Sequence, residues 1–147
     1  MLQRFARITI KMGLQYRTTF STMGGENWNK LTREEEQVIV HKGTEPPFSG
    51  KYLKWKEDGT FVCRRCQTQL FTSKSKFDSH CGWPAFDDAI PGAVKEVQDT
   101  RRPDAVEILC SSCGGHLGHV FRGERLTPAN TRYCVNSLSI DFTDSKS

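Results

Sequence analysis

Six cysteines and four histidines offer the most chemistry in this 147-residue chain. The cysteines divide by spacing. Cys63 and Cys66 in "CRRC" and Cys110 and Cys113 in "CSSC" form two C-x-x-C pairs with 43 residues between them. Each pair can present two thiolates from one turn, and two such turns together supply the four sulfurs of a tetrahedral zinc site. Four thiolates close the coordination sphere, so one Zn2+ per chain would be structural rather than catalytic. Its task would be to pin two strand-turn knuckles distant in sequence. The rivals are disulfides and a thioredoxin-type redox pair. No secretory h-region supports the first, and two matched pairs argue against the second.

Cys81 in "HCGWPAF" and Cys134 in "RYCVNS" are left over. Taken alone, either could be a small buried hydrophobe. If Thr131 to Phe142 is a strand, Arg132, Cys134 and Asn136 share one face with Leu138, Ile140 and Phe142. A guanidinium and an amide beside a thiol favour the thiolate, which makes Cys134 a candidate nucleophile. His116 and His119, three apart in "CGGHLGHVF", directly follow the ligand Cys113 and could act as general acid or orient water. A satisfied core histidine is the alternative for each, and zinc ligation is weaker because four cysteines already fill the sphere. Trp83, between Gly82 and Pro84, is either core packing or the apolar wall of a shallow site.

The elements that must position these residues are short. Thr32 followed by "REE" fits a capping box, and with Gly43 as a stop it predicts a helix over 33–42 that includes His41. The acids Glu34, Glu35 and Glu36 read as a solvated helix face at the positive dipole end. "GTEPPFSG" ends that pattern, and β-rich segments alternate with turn clusters beyond it. Strands are expected at Thr60–Cys63, Gln69–Thr72, Val94–Gln98, Ala105–Leu109, His119–Phe121 and Tyr133–Phe142. No internal repeat or low-complexity tract interrupts them.

The formal net charge is +4, but Arg4, Arg7, Lys11 and Arg17 lie in an acid-free stretch over residues 1–25. The remaining basic and acidic residues, 17 of each, cancel. A nucleic-acid binder carries its basic stripe on the folded domain, so this distribution argues against DNA or RNA. The same stretch is hydroxyl-rich, with interleaved apolar residues, as in organelle transit peptides. A mitochondrial leader over 1–25 and a folded domain over 26–147 are expected. A disordered arm, or a start at Met12 or Met23 with a cytoplasmic product, is the alternative. No apolar run approaches the ~20 residues of a membrane-spanning helix.

"CRRC", "KFDSHCGWPAF", "CSSCGGHLGHVFRGE" and "RYCVNSLSIDF", in this order and spacing, closely resemble B-type methionine sulfoxide reductases over about Asn27 to Phe142. The resemblance implies a mainly β fold of two antiparallel sheets, of the β-tent type, with a short N-terminal helical region. It implies reduction of the R epimer of methionine sulfoxide, chiefly in proteins, by a monomer. Carried onto this sequence, it makes Cys134 the nucleophile, Cys81 the resolving cysteine, and Cys63, Cys66, Cys110 and Cys113 the zinc ligands. Trp83, His116, His119, Arg132 and Asn136 fall on its substrate-pocket positions. The presence of Cys81 points to an intramolecular disulfide reduced by thioredoxin. Ala85, His80 and the loop "RGERLTPANT" depart from the family pattern, and no role transfers to residues 122–131.

The chemistry these residues permit is consistent with that resemblance. A sulfoxide sulfur needs a thiolate on one side and a proton donor for its oxygen on the other. Cys134 and either His116 or His119 would supply them, leaving a sulfenic acid on Cys134. Trp83 would contact the ε-methyl group. The competing functions are a zinc-knuckle module binding protein or nucleic acid, a zinc hydrolase using His116 and His119, and a thiol sensor. Neutral domain charge and two surplus thiols argue against the first. A closed sulfur sphere argues against the second.

Overall fold

The computed structural model describes residues 27–146. The expected leader over 1–25 lies outside them. Among the described residues one α-helix precedes nine strands, which form two antiparallel sheets. No helix there is long and apolar enough to cross a membrane.

Helix α1 spans Arg33–Ile39 and starts as expected. The Thr32 hydroxyl accepts from Glu35 N–H, and the Glu35 carboxylate accepts from Thr32 N–H, closing the capping box. The helix is shorter than the 33–42 expected, and His41 lies beyond it. The left-handed turn falls on Lys42 (φ 61°), one residue before Gly43. Its side chain explains the choice: Lys42 Nζ reaches the buried Glu107 carboxylate at 3.0 Å. Glu35 is also less solvated than a surface run suggests, because Arg64 Nε donates to it at 2.9 Å.

The smaller sheet has the order β2-β1-β9, from Gln69–Thr72, Gly59–Cys63 and Ile140–Asp144. The larger has the order β3-β4-β8-β7-β6-β5. Its strands are Lys76–Phe77, Ala85–Phe86, Thr131–Val135, His116–Arg122, Val106–Cys110 and Val94–Gln98. The strand expected at Tyr133–Phe142 is therefore two, β8 and β9, in different sheets. Asn136 and a 3-10 turn at Ser137–Ser139 carry the chain between them. Polar side chains make that crossing affordable by pairing buried backbone groups. Ser137 Oγ accepts from Tyr52 N–H at 3.1 Å, and Ser139 Oγ donates to the His116 carbonyl at 2.8 Å.

Strand alternation gives the larger sheet two unlike faces. Phe86, Tyr133, Val120 and Val106 form one row across β4, β8, β7 and β6 and point toward the smaller sheet. There Phe86 stacks on Phe71 with ring centroids 4.3 Å apart and meets Phe61 edge-on at 5.1 Å. All three are fully buried, so truncating Phe86 to alanine would cost about 3–5 kcal/mol. The adjacent row, Ala85, Cys134, His119 and Glu107, points the other way. This second face carries the polar residues.

A β-bulge in β7 adds one residue to it. Leu109 pairs with His116 but Ile108 pairs with Gly118, which leaves Leu117 without a partner on β6. Leu117 turns into the core, and His116 joins His119 on the polar face with ring centroids 5.7 Å apart. Gly118 permits the close approach, since a Cβ there would overlap the Cys134 carbonyl.

Candidate active site

The two knuckles meet where β1 and β6 end. Cys63, Cys66, Cys110 and Cys113 bring their sulfurs within 4.8 Å of one another, with Cys63–Cys113 at 3.6 Å and Cys66–Cys110 at 3.5 Å. A tetrahedron of sulfurs about 2.3 Å from a zinc ion has edges of about 3.8 Å. The spacing therefore suits a metal ion. So does the proton inventory. Hydrogen bonds from Cys110 and Cys63 hold Cys113 far below the usual thiol range, while Cys110 is pushed up to about 11 by Cys113, and Cys63 is pushed higher still, first by Cys110. Without a cation most of these sulfurs must keep their protons, and a divalent ion would displace them.

The residues between the ligands fasten the knuckle to the N-terminal segment. Arg65 donates to the Cys113 carbonyl at 2.5 Å and stacks over Trp28 at 4.0 Å. Arg64 binds Glu35 of α1.

On the polar face, Cys134 sits opposite His119 on one side and Ala85 on the other. The loop between β3 and β4 returns Cys81 to it, with the two sulfurs 3.6 Å apart. A movement of about 1.5 Å would bring them to disulfide bonding distance. At this separation one negative charge is favourable and two are not. Cys81 holds it: its thiol is lowered to about 5, chiefly by the hydrogen bond from Cys134, against the opposing effect of burial. Cys134 is pushed up by the same contact and by burial, while Arg132 pulls it down.

Arg132 is held in turn. Glu124 receives its Nε and Nη2 at 2.8 and 3.2 Å, and its guanidinium lies 4.4 Å from the Phe121 ring centre. The loop to which no role transferred thus supplies the carboxylate that orients this arginine.

The two histidines differ. His119 Nε2 lies 2.7 Å from Asp99 Oδ2. Asp99 is lowered to about 2, first by that bond and then by Arg101 N–H, so it stays a carboxylate and His119 Nε2 carries the proton. Only Nδ1 of His119 is left for a reacting group. His116 is 1% exposed and donates from Nδ1 to Glu107 at 2.6 Å, while Glu107 also receives Lys42. Burial lowers His116 despite Glu107, which keeps it neutral, and its Nε2 is buried with no partner.

Cys134 opens into a shallow cleft of about 90 Å³ lined also by Trp83, His119, Phe121, Thr44 and Asn136. Trp83 Nε1 donates to the Glu45 carbonyl at 3.0 Å, which sets the indole against the cleft. Asn136 lines it too, but both ends of its amide are engaged. Its Oδ1 accepts from Glu45 N–H at 3.0 Å and its Nδ2 donates to the Leu117 carbonyl at 3.1 Å. The cleft is therefore apolar on its tryptophan side and hydrogen-bonding on its histidine side.

A family model described as the SelR domain matches residues 31–144, which contain both cysteine clusters and the cleft. The chain belongs to this family of B-type methionine sulfoxide reductases. The reductase is 50% identical over 122 residues to peptide methionine sulfoxide reductase B5 of Oryza sativa, covering 80% of this chain and 88% of that one. It is 49% identical over 120 residues to the MsrB of Teredinibacter turnerae, with the same two coverages. It is also 49% identical over 122 residues to the chloroplastic B2 reductase of Arabidopsis thaliana, of which it spans 59%.

Of the residues that sequence reasoning singled out, the structure places Cys134, Trp83, His119 and Asn136 around the cleft and Cys81 against Cys134, with Arg132 held by Glu124 and His116 buried beside His119. It did not find Asp99, Glu107 or Glu124. Glu107 left a trace, an acid between Val106 and Ile108 in a β-rich run. Asp99 and Glu124 sit in turns and look like ordinary surface acids.

Proposed function

We propose that this reductase returns the R epimer of methionine sulfoxide, chiefly in oxidised proteins, to methionine. The observation that carries this reading is the pair of thiols 3.6 Å apart beside a histidine whose Nε2 is committed to a buried carboxylate. Cys134, as thiolate, attacks the sulfoxide sulfur. Nδ1 of a doubly protonated His119 gives a proton to the departing oxygen, with Asp99 stabilising the imidazolium. The hydroxyl then passes to the Cys134 sulfur as its bond to the methionine sulfur and the transient sulfur–sulfur bond both break, so methionine leaves and Cys134 is left as a sulfenic acid. His116, neutral and walled off, serves as a brace rather than as the acid.

Trp83 would pack against the ε-methyl group and His119 would face the oxygen. A stereogenic sulfur seated between those two walls fits in one configuration. Arg132 favours the thiolate form of Cys134. For attack, the proton between the two sulfurs must pass from Cys134 to Cys81, which leaves the charge on the nucleophile. The same proton leaves as water when the Cys81 sulfur attacks the sulfenic sulfur and closes the disulfide. A thioredoxin dithiol would then reduce it.

Cys63, Cys66, Cys110 and Cys113 would hold a Zn2+ ion, whose contribution is to cross-link the two knuckles. The Arg-bearing leader favours a mitochondrial destination. Comparing the location of the full chain with one lacking residues 1–22 tests that.

A single-turnover assay with each epimer tests the function. About one methionine per enzyme from the R form and none from the S form is expected. Equal release from both, or none from either, would overturn the reading.

A further inference from the structure

Arg102 lines the same cleft as Cys134, and among the described residues it is the only lysine, arginine, aspartate or glutamate that does so. It is exposed, and among the described residues no hydrogen bond or ion pair engages its guanidinium. Its neighbour behaves differently: Arg101 turns toward Asp99, with Nε 3.7 Å from Oδ1. Nor is Arg102 spent on the nucleophile, since Arg132 is the arginine that acts on Cys134.

The backbone beneath Arg102 is braced. The turn joining β5 to β6 is closed by Arg102 N–H to the Asp99 carbonyl and by Ala105 N–H to the Arg102 carbonyl, at 3.3 and 3.0 Å. Asp99 Oδ1 accepts from Arg101 N–H at 2.8 Å, and Gln98 Nε2 donates to the Pro103 carbonyl at 2.7 Å. The carboxylate that orients His119 therefore also anchors the turn presenting Arg102. An uncommitted guanidinium on a fixed turn, at a cleft lined by no other lysine, arginine, aspartate or glutamate, is suited to a carboxylate.

We propose that Arg102 is a specificity-determining residue of this reductase, binding a carboxylate that lies close in the substrate to the oxidised methionine. The inference rests on the cleft being the sulfoxide pocket. The carboxylate has two sources, an acidic side chain flanking the methionine in a protein or the α-carboxylate of the free amino acid. Being at the rim, the contact adds binding and leaves the chemical step alone.

The test compares kcat/KM for short peptides carrying methionine-R-sulfoxide between glutamates or between glutamines, and for the free amino acid against its N-acetyl amide. The wild type should prefer the carboxylate-bearing member by about fivefold at low salt, and less as salt screens the pair. Arg102→Ala should lose that preference and Arg102→Glu reverse it. Arg33→Gln, which removes a charge away from the cleft, should retain the preference. A change confined to the glutamate peptide assigns the site to acidic side chains, and one confined to the free amino acid assigns it to the α-carboxylate. Wild-type selectivity in both Arg102 variants, or equal losses on every substrate, would refute the role. Absence of turnover on all four substrates by the wild type would instead refute the reductase reading, and this inference with it.

Discussion

The knuckle and the cleft use the same side chain in opposite ways. In the knuckle four sulfurs lie within 4.8 Å, and the nearest donors besides other thiols are a few backbone and side-chain groups, such as Gly115 N–H at 3.4 Å from Cys113. Such a cluster can bear several negative charges only if a cation supplies the compensation. In the cleft two sulfurs share one proton beside Arg132, and His119 stands across the strand. That arrangement carries one mobile charge without a metal. Number of sulfurs and the charge beside them, rather than the cysteine itself, separate a structural site from a reactive one.

The strongest way to break the comparison is to remove a sulfur from each cluster. Apparent binding energies of structural zinc sites are about 10 kcal/mol or more, comparable to the whole stability of a domain. Cys110→Ser, or metal stripped by a chelator, should therefore unfold the knuckles and lower the melting temperature by tens of degrees, read by circular dichroism. Cys134→Ser should melt within a few degrees of the wild type yet lose reduction by about 10⁴-fold or more. If the two variants had the same melting temperature, the division of labour would fail.

Within the cleft, His119→Gln should lower the single-turnover rate of the folded enzyme by about 10²–10³-fold. His116→Gln should leave that rate within a few-fold, while either change costs about 1–3 kcal/mol because Asp99 or Glu107 loses a buried partner. Exchanged phenotypes would return the acid role to His116.

Cys81→Ser separates chemistry from recycling. It should still release about one methionine per enzyme, while thioredoxin-driven turnover falls at least about tenfold. Undiminished turnover would remove the resolving role.

The smallest effect concerns the shared proton. Because Cys81 is lowered to about 5, its thiolate form is present above that pH and is lost as pH falls through it. Alkylation of the reduced enzyme should therefore label Cys81 ahead of Cys134 in weakly acidic buffer. In Cys134→Ser the serine hydroxyl is a different donor, so the labelling profile should move to higher pH. A profile unchanged by that substitution would mean that the Trp83 backbone and Arg132, rather than Cys134, set the charge.

Much of this organisation was readable from residue types. The capping box at Thr32, the paired C-x-x-C turns and the alternation that sets Arg132 and Cys134 on one strand face are local rules, and each appears where expected; Asn136, Leu138, Ile140 and Phe142, expected on that face, lie beyond the end of β8. The misplacements share a cause. The helix ends at Ile39, and Lys42 just beyond it pairs with Glu107, a residue 65 positions away. The strand at Tyr133–Phe142 broke because its halves pair with different sheets. Asn136 does line the cleft, but the groups that hold its amide, Glu45 and Leu117, are set by the fold alone.

Local spacing and side-chain chemistry determined the inventory of this reductase: four sulfurs for a metal, two thiols, two histidines, an arginine and a tryptophan. Tertiary structure alone decided the partnerships. A one-residue bulge at Leu117 put both histidines on one face, and two acids of no evident distinction, Asp99 and Glu107, then made one histidine available and the other inert. Covalent neighbours specify what a side chain is. Its charge and proton depend on groups within a few ångströms, and only the fold determines which groups those are.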